Sequence, residues 1–268
     1  MNAIHVSQDI LLPQGYSEYE INSERDLELS FRASGKCDAF IRIVHCGKLK
    51  IRTFAYADAS VNYLFWNTMD SMLDAEESHE VMGNAHVTAA YGECNLADTT
   101  RSTYVALREP GASALVSSAS LVANRKNYHM DVVNFAPHTY GDMKNYAVLL
   151  NQGDLMIDAI GRIVKGASAS ESHQTSRALS FDADQKAEIL PELLIDEDDV
   201  QASHAMSIGR VDEDALYYMM SRGLSVKQCT SLISTGYLLP IADTLDNDEL
   251  KQNLREEMER KISQLCSM

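Results

Sequence analysis

The stretch Ala202–Ser225, ASHAMSIGRVDEDALYYMMSRGLS, decides how the chain is read, because one kind of sequence stops there and another starts. Before it, short apolar-alternating runs are punctuated by Gly, Asn, Asp and Ser. After it the pattern is helical. Asp212 is placed as an N-cap, Leu216, Met219 and Met220 form an apolar stripe with Tyr217 beside it, and Gly223 stands at the C′ position. Ser225 opens a second helix with Gln228 three residues later, as in a capping box, and Gly236 is expected to close it. A strand-rich body hands over here to a helical tail.

Upstream, the period is two. In KLKIRTF, Leu49, Ile51 and Thr53 face one way while Lys48, Lys50 and Arg52 face the other. Similar runs follow at Val87-Ala89-Tyr91, Thr103-Val105-Leu107, Tyr128-Met130-Val132, Tyr146-Val148-Leu150 and Leu155-Ile157-Ala159, then at Leu179-Phe181 and Leu193-Ile195. Many short strands without a long helical period between them indicate an all-β body. On pattern alone a sandwich, a barrel and a β-solenoid all remain open, because the spacing of the runs is irregular. Residues 1–24, with Pro13 and Gly15 and little periodicity, read as a loose lead-in. The β body is expected over 25–209 and the helical subdomain over 210–268. The acidic segment Met69–Gly83 interrupts the alternation and reads as a solvated loop or a helical turn.

Downstream, Asn247–Cys266 reads as a third helix, capped by Asp246, with Leu250, Leu254 and Met258 at four-residue steps and a charged face opposite. Two roles are open for it: a helix that docks a partner, or one packed on its own domain.

The chain has 268 residues, 45% of them hydrophobic and 23% charged, enough for a sizeable core. Its net charge of −16 argues against nucleic acid and against an anionic membrane as partners. The five cysteines, Cys37, Cys46, Cys94, Cys229 and Cys266, are scattered and form no CxxC pair, which reads as free thiols in a reducing compartment. The N-terminus lacks a signal-peptide pattern, so a cytoplasmic location is expected. There is no GxSxG elbow and no GxxxxGK[ST] loop, so neither a hydrolase triad nor ATP binding by a P-loop is supported. His86, His129, His138 and His173 lie scattered in the β body and are assigned structural roles.

The junction also carries a resemblance. SHAMSIG followed by DEDALYYMMSRGLS resembles the C-terminal signature of the SufB/SufD family of iron–sulfur cluster assembly proteins. GASASESHQTSRALSF, with Gln174, Arg177 and Leu179, and PELLIDEDDVQ, from Pro191 to Gln201, resemble the segments that precede it there. APHTYGD (Ala136–Asp142) and LREPGASA (Leu107–Ala114) are weaker echoes.

The resemblance implies a right-handed parallel β-helix core with a small C-terminal helical subdomain. Typical members place a helical region ahead of that core, so this chain reads as a short form. His204 coincides with the family histidine implicated in nascent cluster binding near the interface of paired subunits. SufB-type proteins carry a cysteine and a glutamate where this chain has Ile195 and Ala205, so the chain resembles the SufD branch. The family's ATP-driven partner, the SufC-type ABC ATPase, docks on the C-terminal helices. Its expected contacts here are Tyr217, Tyr218, Arg222, Gly223, Leu232 and Ile233. A SufB-like chain or a second copy is the implied pairing partner. The isolated chain is expected to hold no stable metal or cluster, which would be met only transiently in the complex. The competing reading is a β-solenoid carbohydrate-binding protein or polysaccharide lyase.

Overall fold

A computed structural model describes residues 2–182 and 184–265; Cys266 lies outside them. Among the described residues the body is a parallel β-solenoid of seventeen strands in two sheets. The nine-strand sheet takes the odd-numbered strands: β1 (Asn2–Ile4), β3 (Gly15–Asn22), β5 (Lys36–His45), β7 (Ser60–Asn67), β9 (His86–Glu93), β11 (Ser113–Val122), β13 (Tyr140–Leu149), β15 (Ser170–Ser180) and β17 (Val200–Arg210). The eight-strand sheet takes the even-numbered ones: β2 (Gln8–Leu11), β4 (Leu27–Ala33), β6 (Leu49–Ala55), β8 (Leu73–Val81), β10 (Thr99–Leu107), β12 (Arg125–Asn134), β14 (Asp154–Ile163) and β16 (Lys186–Ile195). Each turn of the coil adds one strand to each sheet, and alternate side chains point into the lumen between them.

The step between stacked positions is not constant. It ranges from 17 residues between Asn2 and Tyr19 to 32 between Asp154 and Lys186. The corners before the odd strands repeat a left-handed residue, with φ between 54° and 77° at Asp58, Asn84, Gly111, His138 and Ala169. Such corners favour Asn, Asp and Gly, and Asn84 Nδ2 donates to Asp58 Oδ1 one corner below at 3.2 Å. His138 is one of these corner residues, its N–H bonded to the Ser168 carbonyl oxygen at 2.9 Å.

The lumen opens with an aromatic ladder in which Tyr19, Phe31, Tyr63, Phe65 and Tyr91 follow one another at centroid spacings of 5.6–6.0 Å. Offset and edge-on contacts of this kind add to the area they bury.

The tail comprises α1 (Glu213–Ser221), α2 (Val226–Leu238), a 3-10 turn (Leu239–Thr244) and α3 (Asp248–Leu265). It runs back over the outside of the nine-strand sheet. α2 lies against β11 and β13, the 3-10 turn against β7, β9 and β11, and α3 is fixed at β5 and β7. Leu250, Leu254, Met258, Ile262 and Leu265 form the buried stripe of α3. They join Leu64, Trp66, Leu121 and Val148 in a second core outside the lumen. Glu257 secures this contact by accepting from Arg42 Nη1 at 2.9 Å and from Trp66 Nε1 at 3.1 Å. α3 is thus packed on its own domain.

The expected helix starts hold. Asp212 Oδ1 accepts the Asp214 N–H, Ser225 and Gln228 form the reciprocal capping box, and Gly223 turns the chain at φ +94°.

Four expectations are corrected. The segment 1–24 is no loose lead-in: it forms β1, β2 and β3, and the Pro13–Gly15 punctuation marks a coil corner. Met69–Gly83 contains strand β8, whose alternation is hidden because two of its inward residues, Glu77 and His79, are polar. α2 continues through Gly236 to Leu238 before tightening into the Pro240-containing 3-10 turn. The side chain at the start of α3 that accepts the Leu250 N–H, at 2.9 Å, is Asn247 and not Asp246.

Candidate functional site

The solenoid is open at its last turn. β17 is the outer strand of the nine-strand sheet, and ten of its eleven residues are exposed, the first being half-buried. The register β15–β17 pairs Gln174 with His204, Ser176 with Met206 and Ala178 with Ile208. Residues at 174, 176 and 178 are buried in the lumen, so His204, Met206 and Ile208 form the next tier of the same wall with nothing stacked on them. Met206 and Ile208 are 47% and 44% exposed. On the facing sheet Ile195, the last residue of β16, is also exposed, whereas Ala205 pairs with Thr175 on the outer face. Behind this end, His173 braces the last two tiers from outside, sharing hydrogen bonds with Ser203 Oγ (2.7 Å) and Glu171 Oε2 (3.0 Å).

Directly after β17, α1 presents a helix with no buried residue. Tyr217 is 75% exposed and Tyr218 58%. Arg222 Nη2 donates to Tyr218 Oη at 2.9 Å, and its guanidinium carbon lies 5.1 Å from that ring's centroid. The contact pre-orders a cation beside an aromatic face. Gly223 then folds α2 back beside α1, with the Gly223 N–H bonded to the Met220 carbonyl oxygen at 2.9 Å. On α2, Leu232 is exposed and Ile233 half-buried. The expected docking residues therefore share one two-helix unit, and His204 stands apart from them at the lumen mouth.

Sequence reasoning missed a polar cluster deeper in the lumen. Arg101 donates through Nη2 and Nε to Glu93 Oε1 at 2.6 and 3.2 Å and through Nη1 to Glu77 Oε1, and it lies over the Tyr91 ring. Tyr91 Oη donates to Glu77 Oε2 at 2.7 Å, and Asn67 Nδ2 to Glu93 Oε2 at 2.7 Å. Glu77, Glu93 and Arg101 are at most 4% exposed. Burial, the largest single influence, pushes the Glu77 carboxyl up, but Arg101, His79 and the Tyr91 hydroxyl together outweigh it and hold the group below its ordinary range. The available signal was the alternation Thr99-Arg101-Thr103, in which a charged residue occupies an inward place.

Lys126 Nζ donates to Thr99 Oγ1 at 3.0 Å and to Asn95 Oδ1, and burial pushes it down from 10.5 to about 8. The unfolded chain therefore binds more protons between those values, and stability rises with pH there. Burial pushes the Cys46 and Cys94 thiols up, to about 11 and about 12, which acts in the opposite sense above the ordinary thiol value of 9. Between pH 7.5 and 9 the wild type is expected to gain about 1 kcal/mol relative to Lys126→Met, read from urea unfolding at each pH. Parallel pH profiles would refute this.

No three His, Cys, Asp or Glu side chains converge as a metal-binding group among the described residues. No helix of the described residues is long and apolar enough to cross a membrane.

Residues 45–237, most of the coil and the first half of the tail, match the family model described as SUF system FeS cluster assembly, SufBD core domain. The chain belongs to the SufB/SufD family. It is 35% identical over 137 residues to the iron-sulfur cluster assembly protein SufD of Bacillus subtilis, which is 51% of this chain and 31% of that protein. It is 24% identical over 163 residues to SufB of the same organism, covering 58% of this chain and 35% of that one. A SufBD family protein of Mycobacterium tuberculosis matches at 26% over 185 residues, 66% of this chain and 22% of its own length. The matches thus span about a third or less of these relatives. Within the SufB/SufD family the chain is SufD-like, its identity to that SufD exceeding its identity to that SufB.

Proposed function

We propose that this chain is a non-enzymatic, SufD-like component of a cytoplasmic iron–sulfur cluster assembly complex. α1 and α2 dock a SufC-like ABC ATPase, and the open end of the solenoid pairs with a SufB-like subunit or a second copy. The cluster is cargo: His204 meets it at the pairing surface, and the chain alone holds none stably. One observation carries the reading. β17 and α1, adjacent in sequence, contain no buried residue between them, yet they present Met206, Ile208, Tyr217, Tyr218 and Met220. A long bare edge strand is a template for strand pairing, and exposed Tyr, Met and Arg are the side chains that interfaces favour. Family membership supports a role in cluster assembly. The carbohydrate-binding or lyase reading gains nothing from the family match.

The test is calorimetric titration of the chain with the SufC-type ATPase of its own organism, using wild type and the double variant Tyr217→Ala/Arg222→Ala. The variant is expected to bind at least about tenfold more weakly, about 1.4 kcal/mol, with its circular dichroism unchanged. Equal affinities in a folded double variant would return α1 to a purely structural role.

A further inference from the structure

Gln174 lies on β15 with its side chain in the lumen and 2% of its surface exposed. Its Nε2 donates across the lumen to the main-chain oxygen of Glu192 on β16 at 2.7 Å. A carbonyl oxygen can only accept, so the NH2 end of the amide is fixed on that wall and Oε1 is turned away from it. Oε1 is buried and has no hydrogen-bond partner. An acceptor left in this condition is unfavourable, because it has given up water without gaining a donor.

The residue stacked above Gln174 is His204, its register partner in the β15–β17 ladder. Paired residues of adjacent parallel strands point to the same face and stand about 4.8 Å apart. Below Gln174 the register partner is Met143, which has no proton to give. Ser176 Oγ accepts from Asn145 Nδ2 at 3.2 Å, which leaves its own proton to donate. The rival donors are therefore the hydroxyls of Ser176 and of Ser172, the latter buried without a partner.

We infer that Gln174 is a positioning residue for His204. Its Oε1 accepts a hydrogen bond from the protonated ring nitrogen of His204, which holds the imidazole in one tautomer and turns the lone pair of the other nitrogen to the open end. This deepens the reading of His204 as the residue that meets the cluster and rests on it. A ring nitrogen ligates iron through a free lone pair, and which nitrogen is free is set by the hydrogen bond the other one makes.

Long-range nitrogen NMR of the full chain, at a pH where imidazole is neutral, reads the tautomer directly, with His204→Asn to assign the signals. In wild type one tautomer is expected to dominate by about ten to one, the ratio that about 1.4 kcal/mol maintains. Gln174→Met keeps the length and removes the acceptor, and should bring the ratio within about threefold of unity. Ser172→Ala and Ser176→Ala should each leave it as in wild type. Two equally averaged ring nitrogens in the wild type overturn the proposal without recourse to any variant. So does a folded Gln174→Met with the wild-type ratio, or a loss of preference in Ser172→Ala or Ser176→Ala. The parent reading fails by a different measurement: a fixed tautomer beside a His204→Ala complex that assembles clusters at the wild-type rate would leave the hydrogen bond standing and remove its purpose.

Discussion

Arg101→Ala is expected to cost about 3–5 kcal/mol of folding stability. The guanidinium is the cation shared by the Glu77 and Glu93 carboxylates, and all three groups are at most 4% exposed. Removing it leaves two carboxylates in the lumen facing one another without solvent. Lys126, the nearest other buried cation, is committed to Asn95 and Thr99. The chain's one tryptophan, Trp66, is fully buried and reports unfolding by fluorescence. Replacing the whole group, as Glu77→Leu, Glu93→Gln and Arg101→Met together, should recover most of the loss, since an apolar substitute avoids the desolvation of all three charges. An Arg101→Ala protein within about 1 kcal/mol of wild type would mean the cluster contributes no more than an exposed pair.

Gly92→Ala should cost about 2–3 kcal/mol by overpacking. A β-carbon at position 92 would lie 2.2 Å from Trp66 Cε3 and 2.5 Å from Cζ3, far inside contact distance. The indole cannot simply step aside, because it is wholly buried and its Nε1 is bonded to Glu257 on α3. Moving the ring breaks that bond and loosens α3 on β7, leaving the Arg42–Glu257 pair as its tie to β5. Two readouts follow: a red shift of Trp66 emission, and faster proteolytic cleavage of α3 than of the coil. Unchanged emission together with unchanged stability would show that the sheet absorbs the methyl elsewhere.

The handover at Asp212 and the caps at Ser225 and Gly223 were legible because they depend on a few residues acting locally. The coil period was not. Its step varies from 17 to 32 residues, so no fixed spacing exists for a sequence to repeat. β8 was hidden by the charge cluster, whose Glu77 and His79 occupy places an alternation test expects to be apolar. Tyr146 and Val148 were recognised as a strand face, but they look outward onto the tail and the lumen side is held by Asn145 and Ala147. That assignment needs knowledge of which face the tail covers. His204 and the α1 residues stood out only through the family motif, since a histidine and two tyrosines carry no signal of their own. Gln174 could be quoted but not interpreted until its amide was seen bonded on one end only.

The grip of Glu257 on Arg42 and Trp66 sets an order of events during synthesis. The two ends of the Glu257–Arg42 ion pair are 215 residues apart, and a ribosome adding about 5–20 residues per second takes about 10–40 s to cover that distance. Tiers of a coil can stack on one another as they emerge. From the time their own tier is made, Leu64 and Trp66 stand on a finished wall without cover until the 3-10 turn and then α3 arrive, so the nascent chain displays an apolar outer face for most of that interval.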